Sequence, residues 1–531
     1  MFASRLRSVV QLSLLIALFS PHARALALPR ASSSRSRGRA AASRGSAGRG
    51  TPRRDPFRSR EYEPFDEFEP RADRDRRRRP APTSDDSPTP APSRGGPYAP
   101  PPPKVWEAEA AASAAGFFSE ASFEALGATP ELAAALRACG AERPSHVQAI
   151  GFKPVFRGED VVLADQTGSG KTLAYLAPLV MRLRKQELEE GRTPSGRVRA
   201  LVVVPTSELA QQVLAVAKAL SAAGARFRST IITGEHKWAT QRKCAENGME
   251  LIVATPGRLA SHLQTDQGPS FSLDSLQSLV LDEADLLFED EGFDEIWAAL
   301  RERVPASSNT VFVTATLAPW VVSAIQRDLP LVKLLKGKTL HKTGAGVKEK
   351  LIDCSAGVKQ KNDDISQAFE RKLMALQTEL KEQPAARTLV FCNTIESCRR
   401  VENSLRRADR RGATYEVLPF HGAIPAEARK RTLAEFTSDS SRGVPKVLVA
   451  TDRASRGMDF VDVSHVVLFD FPRDGVEYLR RVGRVTRGAQ SPGHVTSLVL
   501  GRQLMYARTL MKINREGGTI DLETHGSLAE R

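Results

Sequence analysis

Cysteine is scarce in the sequence, and no apolar run is long enough to cross a membrane. The 531 residues include five cysteines, no two of which have the short spacing of a zinc site. Their odd number fits a disulfide framework poorly. We therefore expect buried or free thiols in a reducing compartment, with neither a zinc module nor a membrane partner.

Positive charge is abundant but unevenly placed. The formal net charge is +15, which favours a polyanionic partner such as nucleic acid or a membrane surface. Residues 1–104 contain 20 arginines and one lysine against ten acids, a net of +11, which leaves only +4 for the rest. The net charge alone therefore says little about what residues 105–531 bind.

The first 104 residues have the composition of targeting segments. In residues 1–25, Arg5 and Arg7 precede the apolar run VVQLSLLIALF, and the segment ends in ARA, as in a signal sequence. Residues 26–104 begin with an acid-free stretch rich in Ser, Ala and Arg, typical of a transit peptide. They continue into Arg-, Asp- and Pro-rich sequence that we expect to be disordered. Two signals in series resemble the bipartite leader of some plastid proteins; a mitochondrion and secretion are the alternatives.

Short β-branched runs then alternate with helical patterns. The first set of predicted strands is DVVLAD, RALVVVP, RSTIITG, ELIVAT, SLVLD and NTVFVTAT, and the second is KLIDCSA, RTLVFCN, YEVLPF, KVLVATD, HVVLFD and HVTSLVL. This alternation predicts two α/β domains over residues 117–336 and 350–515, each a parallel sheet flanked by helices. A flexible linker should join them, and 516–531 should form a short tail. Because ligands bind beyond the carboxyl ends of such strands, we expect a shared cleft.

The stretch DQTGSGKT, Asp165 to Thr172, follows the first predicted strand and opens a helix, as a phosphate-binding loop requires. Its glycines let backbone N–H groups face phosphate oxygens, and the helix N-terminus favours the anion. Lys171 can reach the outer phosphates, and Thr172 can ligate Mg²⁺. The usual pattern begins with Gly, or Ala in some families, where Asp165 stands. The nucleotide-binding residues predicted in this loop are Thr167, Gly168, Ser169, Gly170, Lys171 and Thr172.

Acidic residues crowd behind the strand LVLD. Asp282 should leave the sheet at its carboxyl end, where a carboxylate can hold Mg²⁺ directly or through water. Glu283 can orient or deprotonate the attacking water. We interpret the later acids, Glu289, Asp290 and Glu291, as a solvated approach to a helix.

With GSGKT upstream and DEAD at Asp282 to Asp285, the chain resembles the DEAD-box ATP-dependent RNA helicases of superfamily 2, in order over about residues 120–515. The resemblance implies two RecA-like domains that use ATP and Mg²⁺. RPSHVQ resembles the family's Q motif, so Gln148 should pair with the adenine edge and Phe123 should stack on the ring. TAT, Thr314 to Thr316, resembles the SAT motif. By resemblance, Thr314, Thr316 and Asp285 couple hydrolysis to the second domain.

The second domain adds residues by the same resemblance. In TDRASRGMD, Asp459 is expected to bind the ribose and Arg456 to support contacts between the domains. YLRRVGRVTRG resembles HRxGRxxR, with Arg480 where the family has His. Arg484 and Arg487 are expected to reach the γ-phosphate and to stabilise transition-state charge. The implied catalytic residues are Lys171, Asp282, Glu283, Arg484 and Arg487.

RNA contacts are implied from both domains. PTSELAQQ resembles PTRELAxQ with Ser207 for Arg, TGEHKW resembles a GG turn with Glu235 for the second Gly, and ATPGRL is fully kept. We expect Ser207 and Glu235 to weaken the grip on RNA. Contacts to sugar and phosphate do not read sequence, so little base specificity is expected. The implied RNA-binding residues are Pro205, Thr206, Thr255, Gly257, Arg258, Thr394, Gly422, Arg429 and Thr451.

The predicted function is RNA-stimulated ATP hydrolysis that drives local RNA unwinding or remodelling by a monomer. Two alternatives stay open. One is an ATP-gated RNA clamp or scaffold without productive turnover. The other is a DNA-directed helicase of the same superfamily.

Overall fold

The computed structural model describes residues 117–264, 268–343, 347–355, 365–438, 443–452, 463–485 and 493–522. The predicted site residues Arg456, Asp459 and Arg487 lie outside the described residues, as do the segments 1–25 and 26–104. In the described ranges, none of the helices combines the length and apolar character needed to span a bilayer. All five cysteines are free thiols.

The first domain contains a seven-stranded sheet in the order β3-β4-β2-β5-β6-β1-β7. Every strand pairing in it is parallel. Its strands are β1 (Val161–Ala164), β2 (Val198–Val203), β3 (Ser229–Ile232), β4 (Met249–Ala254), β5 (Ser278–Asp282), β6 (Asn309–Thr314) and β7 (Lys333–Lys336). Its helices are α1 (Phe123–Leu126), α2 (Pro130–Ala138), α3 (His146–Arg157), α4 (Lys171–Glu190), α5 (Ser207–Ala222), α6 (Trp238–Glu246), α7 (Pro256–Leu263), α8 (Ala284–Glu289), α9 (Phe293–Arg303) and α10 (Pro319–Asp328).

The second domain contains a six-stranded sheet in the order β10-β11-β9-β12-β13-β8, again with parallel pairings. Its strands are β8 (Lys348–Asp353), β9 (Arg387–Cys392), β10 (Glu416–Phe420), β11 (Lys446–Thr451), β12 (His465–Leu468) and β13 (His494–Val499). Its helices are α11 (Ile365–Glu382), α12 (Ile395–Ala408), α13 (Ala426–Thr437), α14 (Gly475–Val482) and α15 (Leu504–Arg515), with a 3-10 turn at Gly501–Gln503.

Helices cover both faces of the first sheet, which explains why its strands are apolar throughout rather than alternating. Along β1, Val161 and Leu163 pack into one core, while Val162 and Ala164 pack into the other. All four residues are fully buried. The predicted fold class, two RecA-like α/β domains with parallel sheets, is confirmed.

Strand β7 was not among the strands expected from the sequence. Its residues KLLK are partly or fully exposed and form the sheet edge beside β1, so no buried apolar run marks them. The chain leaves β7 at Lys336 and enters β8 at Lys348, which places the connection between the domains over residues 337–347.

Candidate active site

Three neighbouring strand ends bring the predicted motifs of the first domain together. Strand β6 lies between β5 and β1, with Asp282 beside Val313 and Ala164 beside Thr314. The acidic turn, the TAT segment and the phosphate loop therefore leave the sheet side by side at its carboxyl edge, where ligands of parallel sheets bind.

The phosphate loop wraps around the start of α4. Gly168 and Gly170 have φ of 73° and 84°, a left-handed conformation that glycine adopts without steric cost. Lys171 is nearly buried, and its Nζ donates to the carbonyls of Asp165 and Gln166, each at 2.9 Å. The buried Ser169 hydroxyl has no hydrogen-bond partner among the described residues. An unpartnered hydroxyl inside a glycine-rich loop suits a phosphate oxygen.

The Q-motif glutamine is fixed against this loop. Ser145 caps α3 and Gln148 completes its capping box: the Gln148 Oε1 accepts from the Ser145 N–H at 2.9 Å. The Gln148 Nε2 donates to the Gly170 carbonyl at 3.1 Å. Phe123 begins α1, is buried, and packs into the same core as α3 and α4. The structure thus brings Gln148 to the phosphate loop and places Phe123 in the adjoining core.

Asp282 is held by two hydrogen bonds at the end of β5. Its Oδ2 accepts from the buried Tyr175 hydroxyl at 2.9 Å, and its Oδ1 accepts from the Glu283 N–H at 2.9 Å. Burial, followed by the charge of Glu283, raises the pKa of Asp282 to about 7. Tyr175 lies one turn after Thr172 on α4 and is a site residue that sequence reasoning missed.

Glu283 has a strained backbone. Its φ of 51° and ψ of 52° are left-handed, and among the described residues only His341 is another non-glycine with positive φ. Burial and the charge of Asp285 raise the pKa of Glu283, while Lys171 and Arg484 oppose that rise. Strain of this kind persists where the surrounding structure holds a functional side chain in place.

The predicted coupling residues form one hydrogen-bonded group. Asp285 is fully buried, and its Oδ2 accepts from the Thr316 hydroxyl. The Thr314 hydroxyl donates to the Thr316 carbonyl at 2.6 Å. Asp285, Thr314 and Thr316 are therefore linked by hydrogen bonds at the end of the sheet.

The second domain closes the cleft through the end of α14. The Thr167 hydroxyl donates to the Gly483 carbonyl at 3.0 Å, and Arg480 Nη2 donates to Asp285 Oδ2 at 2.8 Å. Arg484 follows in the next turn and lines a narrow cleft together with Glu283. Positive and acidic side chains from the two domains thus face one space.

Asp165, the departure at the start of the phosphate loop, contacts the connection between the domains. The Thr339 hydroxyl donates to Asp165 Oδ1 at 2.7 Å. A β-carbon at Gly337 would lie 2.1 Å from the Asp165 carboxyl carbon, so a larger residue there would require the Asp165 side chain to move. Further along the connection, His341 Nε2 accepts from the Leu317 N–H at 2.9 Å, directly after the TAT segment.

The predicted RNA-binding residues lie at strand ends and helix starts of both domains. Thr206, Thr255 and Thr394 stand at the N-caps of α5, α7 and α12, and Thr451 ends β11. Pro205 and Gly422 are at least partly exposed in adjacent loops, and Gly257 is exposed in the first turn of α7. These positions share the carboxyl edges of their sheets, where a strand of nucleic acid can contact backbone and hydroxyl groups.

Arg258 is oriented by its neighbours. Its Nη2 donates to the Gly234 carbonyl at 3.0 Å, and its guanidinium lies 5.5 Å from the centre of the Trp238 ring. Trp238 in turn stacks on His262, with the two ring centres 3.8 Å apart. The arginine is therefore held at the turn that carries Glu235.

Two ion pairs join the domains beside these residues, and sequence reasoning predicted neither. Arg429 Nη2 lies 3.0 Å from Glu208 Oε1, and Lys430 Nζ lies 2.8 Å from Glu235 Oε2. Glu235 also accepts from the Gln211 amide at 3.0 Å. Glu235, which is expected to weaken the grip on RNA, thus has its charge matched by Lys430.

The comparisons with known proteins agree with this geometry. The DEAD/DEAH box helicase family matches residues 145–324, and the helicase conserved C-terminal domain matches residues 371–489. Yeast (S. cerevisiae) Dbp5, solved with RNA and ADP BeF3, is similar in fold with a TM-score of 0.60 and 23% identity. That match covers 75% of this chain and 94% of Dbp5.

Two curated relatives are similar in sequence. The chain is 42% identical over 407 residues to DEAD-box ATP-dependent RNA helicase 50 of Oryza sativa subsp. japonica, covering 76% of this chain. The chain spans 62% of the length of that relative. It is 32% identical over 363 residues to ATP-dependent RNA helicase RhlB of Shewanella frigidimarina, covering 68% of this chain and 77% of RhlB. The chain therefore belongs to the DEAD-box family of ATP-dependent RNA helicases.

Proposed function

We propose that this protein hydrolyses ATP in response to RNA and uses the resulting opening and closing of its cleft to unwind or remodel RNA. The observation that carries the proposal is that Glu283 and Arg484 line one cleft between the domains, where the charge of Lys171 also acts on Glu283. Phosphoryl transfer needs a phosphate-binding loop, an acid that can orient or deprotonate the attacking water, and a cation that stabilises charge, which here comes from the opposite domain.

The residues fit a magnesium ion as the cofactor. Asp282 and Thr172 offer hard oxygen ligands beside the phosphate loop, and burial with the neighbouring charge of Glu283 raises the pKa of Asp282, so a cation there would favour the ionised carboxylate. The described residues hold no cluster of three or more acids or histidines that could enclose a metal. Two protein oxygens are enough for Mg²⁺, which usually takes its other ligands from water and phosphate. The ion would neutralise charge on the transferred phosphoryl group.

The protein's own groups would divide the remaining work. Glu283, oriented by its left-handed backbone, would hold or deprotonate the attacking water, and Tyr175 would keep Asp282 aimed at the metal. Lys171 would exchange the loop carbonyls for phosphate oxygens, and Arg484 would stabilise charge on the γ-phosphate. Predicted contributions from Arg456, Asp459 and Arg487 rest on the sequence alone.

Phosphate release by the full chain, measured with RNA, with DNA of the same sequence and with neither, tests the proposal. We expect RNA to stimulate hydrolysis and Glu283→Gln to abolish it while ATP binding persists. Wild-type release equal to that of the variant would instead indicate an ATP-gated clamp. Equal stimulation by DNA would indicate a DNA-directed enzyme.

We also propose that the protein is located in an organelle, because residues 1–25 and 26–104 have the composition of targeting segments. A plastid is the preferred organelle and a mitochondrion is the alternative. A fluorescent protein fused after the full chain should enter the organelle, and deletion of residues 1–104 should leave it in the cytosol. A cytosolic signal from the undeleted fusion would contradict this location.

A further inference from the structure

Arg480 crosses the cleft to two acids of the first domain. Its Nη2 lies 2.8 Å from Asp285 Oδ2 and 2.9 Å from Glu289 Oε1, and its Nη1 lies 3.4 Å from Glu289 Oε2. The Arg480 side chain is 12% exposed, Asp285 is fully buried and Glu289 is 28% exposed. Glu289 is exposed, as the sequence analysis expected of it and of Asp290 and Glu291, but it also contacts Arg480 across the cleft.

The contact balances charge that would otherwise be costly. Asp285 and Asp282 are buried in one turn with the half-buried Glu283 between them, so three acids lie close together. Burial opposes ionisation of Asp285, but the charge of Arg480 and the hydrogen bond from Thr316 outweigh it and lower its pKa. A buried carboxylate without a cation would destabilise the turn by about 3 kcal/mol or more.

The same end of α14 carries the arginine that faces the site. Arg484 follows Arg480 by four residues, and between them the Gly483 carbonyl accepts the hydrogen bond from Thr167. Arg480 and Gly483 are thus two anchor points of one turn on the first domain. Fixing that turn fixes where Arg484 enters the cleft.

We propose that Arg480 is a positioning residue whose pairing with Asp285 and Glu289 docks the end of α14 and sets Arg484 opposite Glu283. The inference rests on the proposed hydrolysis and deepens it. Two elements of this proposal are new. Glu289, which lies outside the recognised motifs, contributes to docking, and position 480 carries a permanent cation. Arg480 itself touches the acids and not the reacting groups.

Single and double substitutions test this contact. Arg480→Gln should lower kcat by about tenfold or more, with the KM for ATP changing little, because the lost contact acts through Arg484. Glu289→Gln should lower kcat by about threefold, and Arg480→Gln with Glu289→Gln should be no worse than Arg480→Gln. Glu291→Gln is the matched control, since Glu291 is an exposed acid two residues away. Equal rates for Glu289→Gln and Glu291→Gln, or fully multiplicative effects in the double variant, would overturn the proposal.

A histidine at position 480 adds a readout that general loss of stability cannot produce. The charged and titratable groups around the position come from three parts of the fold: Glu283, Asp285 and Glu289 from the first domain, His341 and Lys342 from the connection, and Asp452, Glu477, Arg481 and Arg484 from the second domain. Imidazole carries the positive charge of an ion pair with these acids only when it is protonated, whereas the neutral ring can donate a single hydrogen bond. The kcat of Arg480→His relative to wild type should therefore be highest near pH 6 and fall toward pH 8.5, while that of Arg480→Lys should stay flat. A flat ratio for histidine would contradict the charge requirement.

Docking can be followed without hydrolysis. With a non-hydrolysable ATP analogue and RNA, wild-type protein should resist trypsin at Lys338 and Lys342 between the domains, and Arg480→Gln should be cut faster. If wild type shows no RNA-stimulated hydrolysis but Arg480→Gln and Glu289→Gln still lose protection, the proposed function fails and the docking role of Arg480 stands. Unchanged protection in both variants would refute that role.

Discussion

Replacing Asp282 with asparagine should stabilise the protein in the absence of magnesium and nucleotide, although it should abolish hydrolysis. The carboxyl group is buried at the end of β5, and its pKa rises from an ordinary 3.8 to about 7. A raised acid pKa means that the folded protein binds this proton more tightly than the unfolded chain does. The group's contribution to stability is therefore complete below about pH 4 and is lost as the pH rises to about 7.

The size of the effect follows from that shift. Each pKa unit corresponds to about 1.4 kcal/mol, so the stability lost between the two pKa values is about 4 kcal/mol, and about 3 kcal/mol of it falls between pH 5 and pH 8. Asparagine keeps the shape and does not titrate. Its oxygen can accept from the Glu283 N–H, and its amide can donate to the Tyr175 oxygen. The advantage of Asp282→Asn over wild type should therefore grow with pH by about this amount.

Urea unfolding in EDTA at several pH values between 5 and 8 measures the effect. Three of the four tryptophans, Trp238, Trp297 and Trp320, lie in the first domain, so intrinsic fluorescence reports the domain that carries the substitution. Asp290→Asn is the control, because Asp290 is exposed and close in sequence. Magnesium should raise the midpoint of wild type and leave Asp282→Asn unchanged. A stability difference that does not vary with pH would refute the argument from burial.

Three further predictions concern the surroundings of the site. Tyr175→Phe removes the donor that favours the ionised magnesium-binding carboxylate, so the acidic limb of the kcat/KM profile should move to higher pH; an unmoved limb would count against that hydrogen bond. Glu235→Gln removes the ion pair with Lys430 and should weaken docking of the two domains by about 1 kcal/mol, which would be measured as faster trypsin cleavage between them. The charge swap Glu235→Lys with Lys430→Glu should restore protection from trypsin. Gly483→Ala places a β-carbon 2.2 Å from the Thr167 hydroxyl oxygen, so kcat should fall without a matching fall in Tm; a normal kcat would show that the turn can yield.

The sequence was sufficient for features that depend on local pattern. Buried strands can be predicted from short runs of β-branched residues. The phosphate loop can be predicted because its residues follow one such run and begin a helix. Strand β7 escaped prediction since its four residues are exposed at the sheet edge. Contacts between positions far apart in the chain leave no such pattern: 191 residues separate Arg480 from Glu289, and 221 separate Arg429 from Glu208. Only the fold decides that these charges meet.

The departures from the family pattern take on a common meaning in the structure. Asp165 replaces the small residue of the family pattern and accepts a hydrogen bond from Thr339 of the connection. Glu235 replaces a glycine and forms an ion pair with Lys430. Arg480 replaces a histidine and forms an ion pair with Glu289. Each substitution places a polar or charged side chain within contact distance of a complementary side chain on the connection or on the opposite domain. Reverting any one of them alone would leave that partner without its counterpart at a half-buried contact, which usually costs more than the pair contributes. We therefore expect a single reversion to the family residue to impair docking, and expect recovery only when the partner is changed with it.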